Sequence, residues 1–180
     1  SVVVMAVLQL ALATGAYAQS SLETIKSAGV IKIGTEGTYA PFTFHDASGK
    51  LVGFDVEIGE AIASKLGVKA EFVEGKWDGL IAGIDAKRYD LVINQVSITP
   101  ERQAKYDFSA PYITSKAVLL VKNDSTIDSF AALKDKKAAQ SLSSNFGKLA
   151  QSAGAELVPT EGFNQSVELV LSGRADATIN

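Results

Sequence analysis

Residues 90–102 read Asp90-Leu91-Val92-Ile93-Asn94-Gln95-Val96-Ser97-Ile98-Thr99-Pro100-Glu101-Arg102. The first seven form a short, mostly apolar run that predicts a buried strand. The last six are largely polar and turn-forming, and they end on an arginine. Residues 38–42, Thr38-Tyr39-Ala40-Pro41-Phe42, stand in the same relation to an earlier strand, Val30-Ile31-Lys32-Ile33-Gly34. Open α/β sheets bind ligands at the C-terminal ends of their strands, where these two segments lie. Arg102 would offer there a planar, permanently charged fork suited to a small carboxylate. A surface ion pair with Glu101 or Asp107 is the alternative that its spacing allows.

Working outward, strands and helices alternate. Phe42-Thr43-Phe44 and Leu51-Val52-Gly53-Phe54 flank the turn residues Asp46 to Gly49 and predict a hairpin-like excursion. Asp55 is expected to cap a helix whose inner face carries Ile58, Ala61, Ile62 and Leu66, stopped by Gly67. Lys69 to Val73 is the next strand, and Asp78 opens a helix with Leu80, Ile81 and Ile84 inward. With the strand at 90–96 this β-α-β-α-β order predicts a parallel sheet with right-handed crossovers. After Pro111-Tyr112-Ile113-Thr114-Ser115 a second series begins. It has strands at 117–121, 137–140, 156–158 and 175–179, a short helix capped by Asp128, and helices over 144–153 and 165–171. No sequence repeat and no low-complexity linker separates the two series.

Composition narrows the function. A net charge of −3 lacks the clustered basic face that nucleic acid requires. The absence of cysteine removes disulfides and thiolate metal sites, and a single histidine leaves little room for histidine catalysis or zinc. That residue, His45, sits in a turn beside Asp46 and is expected to be solvated. Gly34-Thr35-Glu36-Gly37 lacks the third glycine of a dinucleotide loop and leads into Tyr39-Ala40-Pro41, so it is not read as one. Val2 to Leu12 is almost wholly apolar, and Ala16-Tyr17-Ala18 supplies small residues before Gln19. Residues 1–18 therefore read as a secretory signal, clipped at its start and too short to span a membrane.

Tyr39 and Trp77 each follow a strand. They are either core residues or two rings that clamp a ligand across a cleft. Ser141, Ser144 and Asn145 form a polar turn at a helix N-terminus, where an N-cap and an anion site are compatible readings.

The segments Tyr39 to Phe42, Ser97 to Arg102, Gln140 to Asn145 and Gly173 to Ala177 together resemble the polar amino acid family of periplasmic solute-binding proteins, family 3, which feed ATP-driven importers. The Gln140 to Asn145 run is most similar to the cystine-binding branch. The resemblance extends from Val30 to Asn180. It implies an α/β, two-lobed periplasmic-binding-protein-like fold (type II), truncated before the C-terminal return to lobe 1. A segment at 19–29 would precede lobe 1 at 30–112, a hinge crossing at 113–116 and lobe 2 at 117–180. It further implies that Tyr39 and Trp77 form ligand-facing walls, and that Arg102 clasps the α-carboxylate beside Ser97. Asn94 and Gln95 would line the site, with Glu36 touching the ligand side chain. The family's ammonium-binding aspartate falls one residue after Asn180, so the 180-residue chain is expected to bind weakly. Asp176 is read as a strand-entry residue and not as a substitute. The implied partners are a free amino acid, cystine preferred, and a membrane permease with its ATPase. A monomer in the periplasm with no cofactor and no catalysis is expected. A cyclohexadienyl dehydratase-like enzyme and the ligand-binding core of a glutamate-gated channel are the alternatives on the same scaffold.

Export is expected to cleave the chain between Ala18 and Gln19, because Ala16 and Ala18 are the small side chains that a signal peptidase accepts. Mass spectrometry of exported protein checks this, and a mature chain that retains Val2 to Leu12 contradicts it.

Overall fold

The computed structural model describes residues 20–180. The expected signal and its cleavage site lie outside them. The first described element is a helix that the sequence reading left unassigned, α1 (Ser21–Ala28). Ser20 accepts from the Glu23 N–H while the Glu23 carboxylate accepts from the Ser20 N–H, and Gly29 closes the helix at φ 70°. This reciprocal cap satisfies two otherwise orphaned donors.

The strand β1 (Val30–Thr35) follows directly. Its pleat sends Ile31 and Ile33 inward and Lys32 outward. Next come β2 (Thr38–Tyr39), β3 (Thr43–His45) and β4 (Leu51–Val52), an antiparallel set that includes the expected hairpin. The helix α2 (Phe54–Leu66) ends at Gly67 as anticipated. Its start is different: Gly53 occupies the cap position, and Asp55 lies inside the first turn, buried. Ile58, Ile62 and Leu66 pack on the core, but Ala61 faces solvent; Val56, Gly59 and Ala63 complete the buried stripe. Gly59 is required because a Cβ there would come within 2.9 Å of both Ile33 and Phe72.

β5 (Lys69–Glu74) pairs parallel with β1 along its full length. The next helix breaks into α3 (Trp77–Leu80) and α4 (Ala82–Asp85), so Asp78 lies within a first turn and does not open it. Only Leu91–Val92 of the expected long strand pairs with β1, as β6. It stops because the Asn94 side chain is buried and Gln95 takes φ 53°, outside strand geometry. Thr99 caps the short helix α5 (Pro100–Gln103), with proline in the first turn where its missing N–H costs nothing. Residues 107–118 then contain neither helix nor strand.

The second series gives β7 (Leu119–Val121), a 3₁₀ turn at Phe130–Leu133, β8 (Lys137–Gln140), α6 (Asn145–Ser152), β9 (Glu156–Pro159), α7 (Phe163–Leu171) and β10 (Ala177–Ile179). Ser129, not Asp128, precedes the 3₁₀ turn, and it makes no side-chain cap bond. The sheet order is β7-β10-β8-β9, parallel except for β7. Ala138 packs with Leu133 and Ala150 on one face; Ala139 packs with Leu169 and Val170 on the other. Small residues on adjacent positions let helices approach both faces of the sheet.

Two α/β lobes result, each with its own core. An aspartate locks the third parallel strand to the first in each. Asp90 accepts from the Lys32 N–H and Asp176 from the Lys137 N–H, both at 2.8 Å. This is the strand-entry role expected of Asp176.

Ile33 is 0% exposed between β1 and α2. Ile33→Ala is expected to lower unfolding free energy by about 2–5 kcal/mol in denaturant melts. Ala61→Ser, on the solvent face, is expected to change it by no more than about 0.5 kcal/mol.

Candidate functional site

The C-terminal ends of β1 and β6 are joined by one buried carboxamide. Asn94, 2% exposed, accepts from the Glu36 N–H at 2.8 Å and donates to the Glu36 carboxylate at 2.6 Å. The Thr35 hydroxyl lies 3.2 Å from the same Asn94 oxygen and donates to Thr43 at 2.8 Å. Thr43 in turn accepts from the Gly37 N–H. Glu36 is thereby aimed at the space beyond the sheet edge. Burial raises its pKa, the Asn94 hydrogen bond opposes this, and the charge of Asp78 adds to the rise. His45 is exposed, as expected of a turn residue, and also braces this corner. Its Nδ1 is 3.2 Å from the Gly37 carbonyl and its Nε2 is 3.3 Å from Glu74.

The cleft at this edge encloses about 560 Å³ of empty space, part of it open to solvent. Lobe 1 contributes Glu36, Tyr39, Trp77, Asn94, Gln95 and Ser97; lobe 2 contributes Ser141, Ser144 and Asn145 among others. These nine are all residues singled out from the sequence. Arg102, the tenth, stands outside the lining. Its guanidinium sits 5.4 Å from the centre of the Trp77 ring, and one of its N–H groups donates to the Ser97 carbonyl at 2.9 Å. Burial lowers its pKa and the Glu101 charge opposes this; an arginine stays protonated regardless.

Tyr39 and Trp77 both belong to lobe 1, so they do not oppose each other across the lobes. Both follow strands of the same sheet. The ring that meets Tyr39 from lobe 2 is Phe163, 5.7 Å away between centroids. Ser144 spends its hydroxyl on the N–H of Phe146, so its role as an N-cap is realised. The N-termini of α6 and α7 both open on the cleft, through Ser144 to Phe146 and through Gly162 and Phe163. Their dipoles favour negative charge on that wall.

Sequence reasoning passed over Gln140, Phe163, Ser166, Thr178 and Asn180, which also line the cleft. Gln140 is buried by bonds to Thr178 and to the Ile179 carbonyl, and so supports the wall from behind. Asn180 follows β10 as Asn94 follows β6, and the same strand-end rule would have flagged it. It donates to the Tyr39 hydroxyl at 2.6 Å, across the lobes.

Further contacts bring the rims together. Lys76 pairs with Glu161 at 2.7 Å, Ser143 donates to Asp78 at 2.5 Å, and Asn164 donates to the Thr38 carbonyl at 2.9 Å. Lys148 pairs with Glu101. Both ion pairs are solvent-exposed, and such pairs contribute only about 0–1 kcal/mol each. No described helix is long and apolar enough to cross a membrane.

A family profile of bacterial extracellular solute-binding proteins, family 3, matches residues 31–165. The chain belongs to this family. Among curated members it is 49% identical over 172 residues to a probable amino-acid ABC transporter-binding protein of Haemophilus influenzae. That match covers 95% of this chain and 67% of the relative. It is 48% identical over 159 residues to the L-cystine-binding protein TcyA of Bacillus subtilis, covering 87% of this chain and 59% of that one. The chain thus spans roughly three fifths to two thirds of the length of these family members. Among solved members, the ancestral amino acid-binding protein AncCDT-1, a precursor of cyclohexadienyl dehydratase, is 39% identical with a TM-score of 0.84. The match covers 89% of this chain and 74% of that one. The L-cystine solute receptor of Neisseria gonorrhoeae, in its unliganded open conformation, is 54% identical with a TM-score of 0.52, covering 91% and 70%.

Because burial raises the Glu36 pKa above its ordinary 4.5, folding disfavours its ionised form. The stability this group contributes is fully present below its unfolded pKa and is lost as pH rises through the higher folded value. Glu36→Gln keeps an acceptor for Asn94 and removes that loss. Denaturation midpoints at about pH 4 and about pH 8 are expected to show the variant gaining on the parent at the higher pH.

Proposed function

We propose that this chain is the substrate-binding component of an amino acid ABC importer, taking L-cystine, cysteine or another polar amino acid between two closing lobes. The observation that carries the reading is the cleft itself. It collects a carboxylate, aromatic rings and two helix N-termini from both lobes, at the sheet edges where α/β folds bind ligands. In this reading Arg102 and Ser97, helped by the N-terminus of α6, receive the ligand's carboxylate. Tyr39, Trp77 and Phe163 contact its side chain, and Glu36 takes positive charge. Lobe 1 is 30–112, the hinge is 113–116 and lobe 2 is 117–180.

Closure is supported by the contrast between the two solved members. The more similar sequence, in an open conformation, superposes less well than the more distant one. A sequence 54% identical is expected to share the fold, so the contrast supports a difference in the angle between lobes. Ligand binding by hinge closure needs no covalent chemistry. The chain's likeness to L-cystine-binding proteins supports cystine as the preferred ligand, and its likeness to an amino-acid ABC transporter-binding protein supports a membrane permease and ATPase as partners. The family description as extracellular supports a location outside the cytoplasmic membrane, the periplasm where there is one, and in this reading the protein acts as a monomer. A dehydratase reading draws on one observation, the raised pKa of Glu36, which would let it act as an acid.

Titration calorimetry of the full-length parent against L-cystine, L-arginine and L-glutamine tests the reading, with cystine expected to bind most tightly. Arg102→Lys is expected to weaken that binding roughly tenfold or more, since lysine keeps the charge and loses the two-pronged geometry. Unaltered affinity would make Arg102 a structural partner of Trp77 and Ser97 only. Prephenate turnover by the parent, with no amino acid bound, would overturn the transport reading in favour of an enzyme.

A further inference from the structure

Asp55 is 1% exposed and plays no part in the cleft lining. Its Oδ1 accepts from Gln95 Nε2 at 2.7 Å and from the Tyr112 hydroxyl at 3.2 Å. Its Oδ2 is buried with no hydrogen-bond partner. No cation is paired with it among the described residues. A carboxylate that only complemented the N-terminus of α2 could do so from the surface, as Glu57 does on the same turn.

What distinguishes Asp55 is the identity of its two donors. Gln95 lines the cleft and holds φ 53°, a left-handed conformation that a non-glycine residue keeps only when its surroundings fix it. Tyr112 lies in the irregular segment 107–118 that leads from lobe 1 to lobe 2. The flank of its ring is exposed and rests 6.0 Å from Phe54, while its hydroxyl reaches inward to the carboxylate. One oxygen atom therefore ties together the start of α2, the cleft loop after β6 and the crossing between lobes.

We propose that Asp55 is a positioning residue that locks the cleft loop at Gln95 to the inter-lobe crossing at Tyr112, so that cleft wall and hinge move as one body. The inference rests on the two-lobed reading and not on which ligand enters. The titratable groups that face Asp55 are Tyr112 from the crossing and, through its charge, Tyr39 from β2. Burial raises the pKa of Asp55, while the Gln95 and Tyr112 hydrogen bonds oppose this. Burial and then the charge of Asp55 push the Tyr112 hydroxyl upward, so it remains a donor at any physiological pH.

The test needs no ligand, so it can fail or succeed independently of the transport reading. Trp77 is the only tryptophan in the sequence and lies on the cleft, so acrylamide quenching of its fluorescence reports access to the site. Amide hydrogen exchange at residues 94–97 and 111–116 reports the two tethered segments. Asp55→Asn keeps an acceptor for both donors and is expected to leave quenching and exchange near the parent values. Asp55→Ala is expected to speed exchange in both segments by roughly threefold or more and to raise quenching. Tyr112→Phe removes a single hydroxyl far along the chain from the loop, and is expected to speed exchange at 94–97 as well as at 111–116. Adding Tyr112→Phe to Asp55→Ala should change nothing further at 94–97. If Tyr112→Phe leaves exchange at 94–97 at the parent rate, the lock does not exist and Asp55 serves only the end of α2. That arm stands even if Asp55→Ala fails to fold. A lowered melting temperature in Asp55→Ala with unchanged exchange in both segments overturns the proposal in the same way.

Discussion

The buried carboxamide of Asn94 is the point from which the first lobe's working edge is built. It lies where β1 and β6 run out, and it satisfies the Glu36 N–H and the Glu36 carboxylate at once. Leaving either group buried and unpaired would cost about 1–3 kcal/mol, more for the charged one. β6 ends after two residues, and Gln95 takes a left-handed conformation just beyond Asn94. Everything beyond this turn inherits its position: Gln95 toward Asp55, Ser97 toward the Arg102 guanidinium, and α5 behind the Trp77 ring.

The two lobes solve the same problem with partly the same residues, Asp90 and Asn94 in one and Asp176 and Asn180 in the other. Each has three parallel strands clamped by an aspartate at the entry to the third. Each ends its first and third strands in polar groups: Glu36 and Asn94 in one lobe, Ser141 and Asn180 in the other. No extended repeat is visible in the sequence, because what the lobes share is confined to an aspartate and an asparagine that bracket the third strand. Facing these edges toward each other concentrates polar groups and helix N-termini in one cleft. The walls carry a carboxylate on one side and helix dipoles on the other, a polarity suited to a zwitterion.

Much of the fold was legible. Strands such as Val30–Thr35, the stop at Gly67 and the pause near residue 112 follow from β-branching, glycine and periodicity, which are local properties. The helix α1 was equally legible, since Ser20 and Glu23 stand at capping-box spacing ahead of Ile25. The misreadings fall where a local rule met a tertiary demand. An aspartate ahead of an apolar stripe reads as a cap, yet Asp55 is drawn inward by Gln95 and Tyr112. Asp128 yields the start of its turn to Ser129 for no reason that a capping hydrogen bond explains.

By itself the sequence determined the element order, the parallel sheets and the residue types at the strand ends, because side-chain period and turn chemistry act over a few residues. Together with the family resemblance that its motifs carry, it named nine of the residues that meet in the cleft. Which of them face one another was decided only by the tertiary structure. Tyr39 meets Phe163 and Asn180 from lobe 2, Trp77 meets Arg102 from its own lobe, and Asn94 is consumed in holding Glu36. The Tyr39 pairings depend on how the two lobes are set against each other, through residues more than a hundred positions apart, and the other two depend on packing within lobe 1. Local pattern carries no record of either.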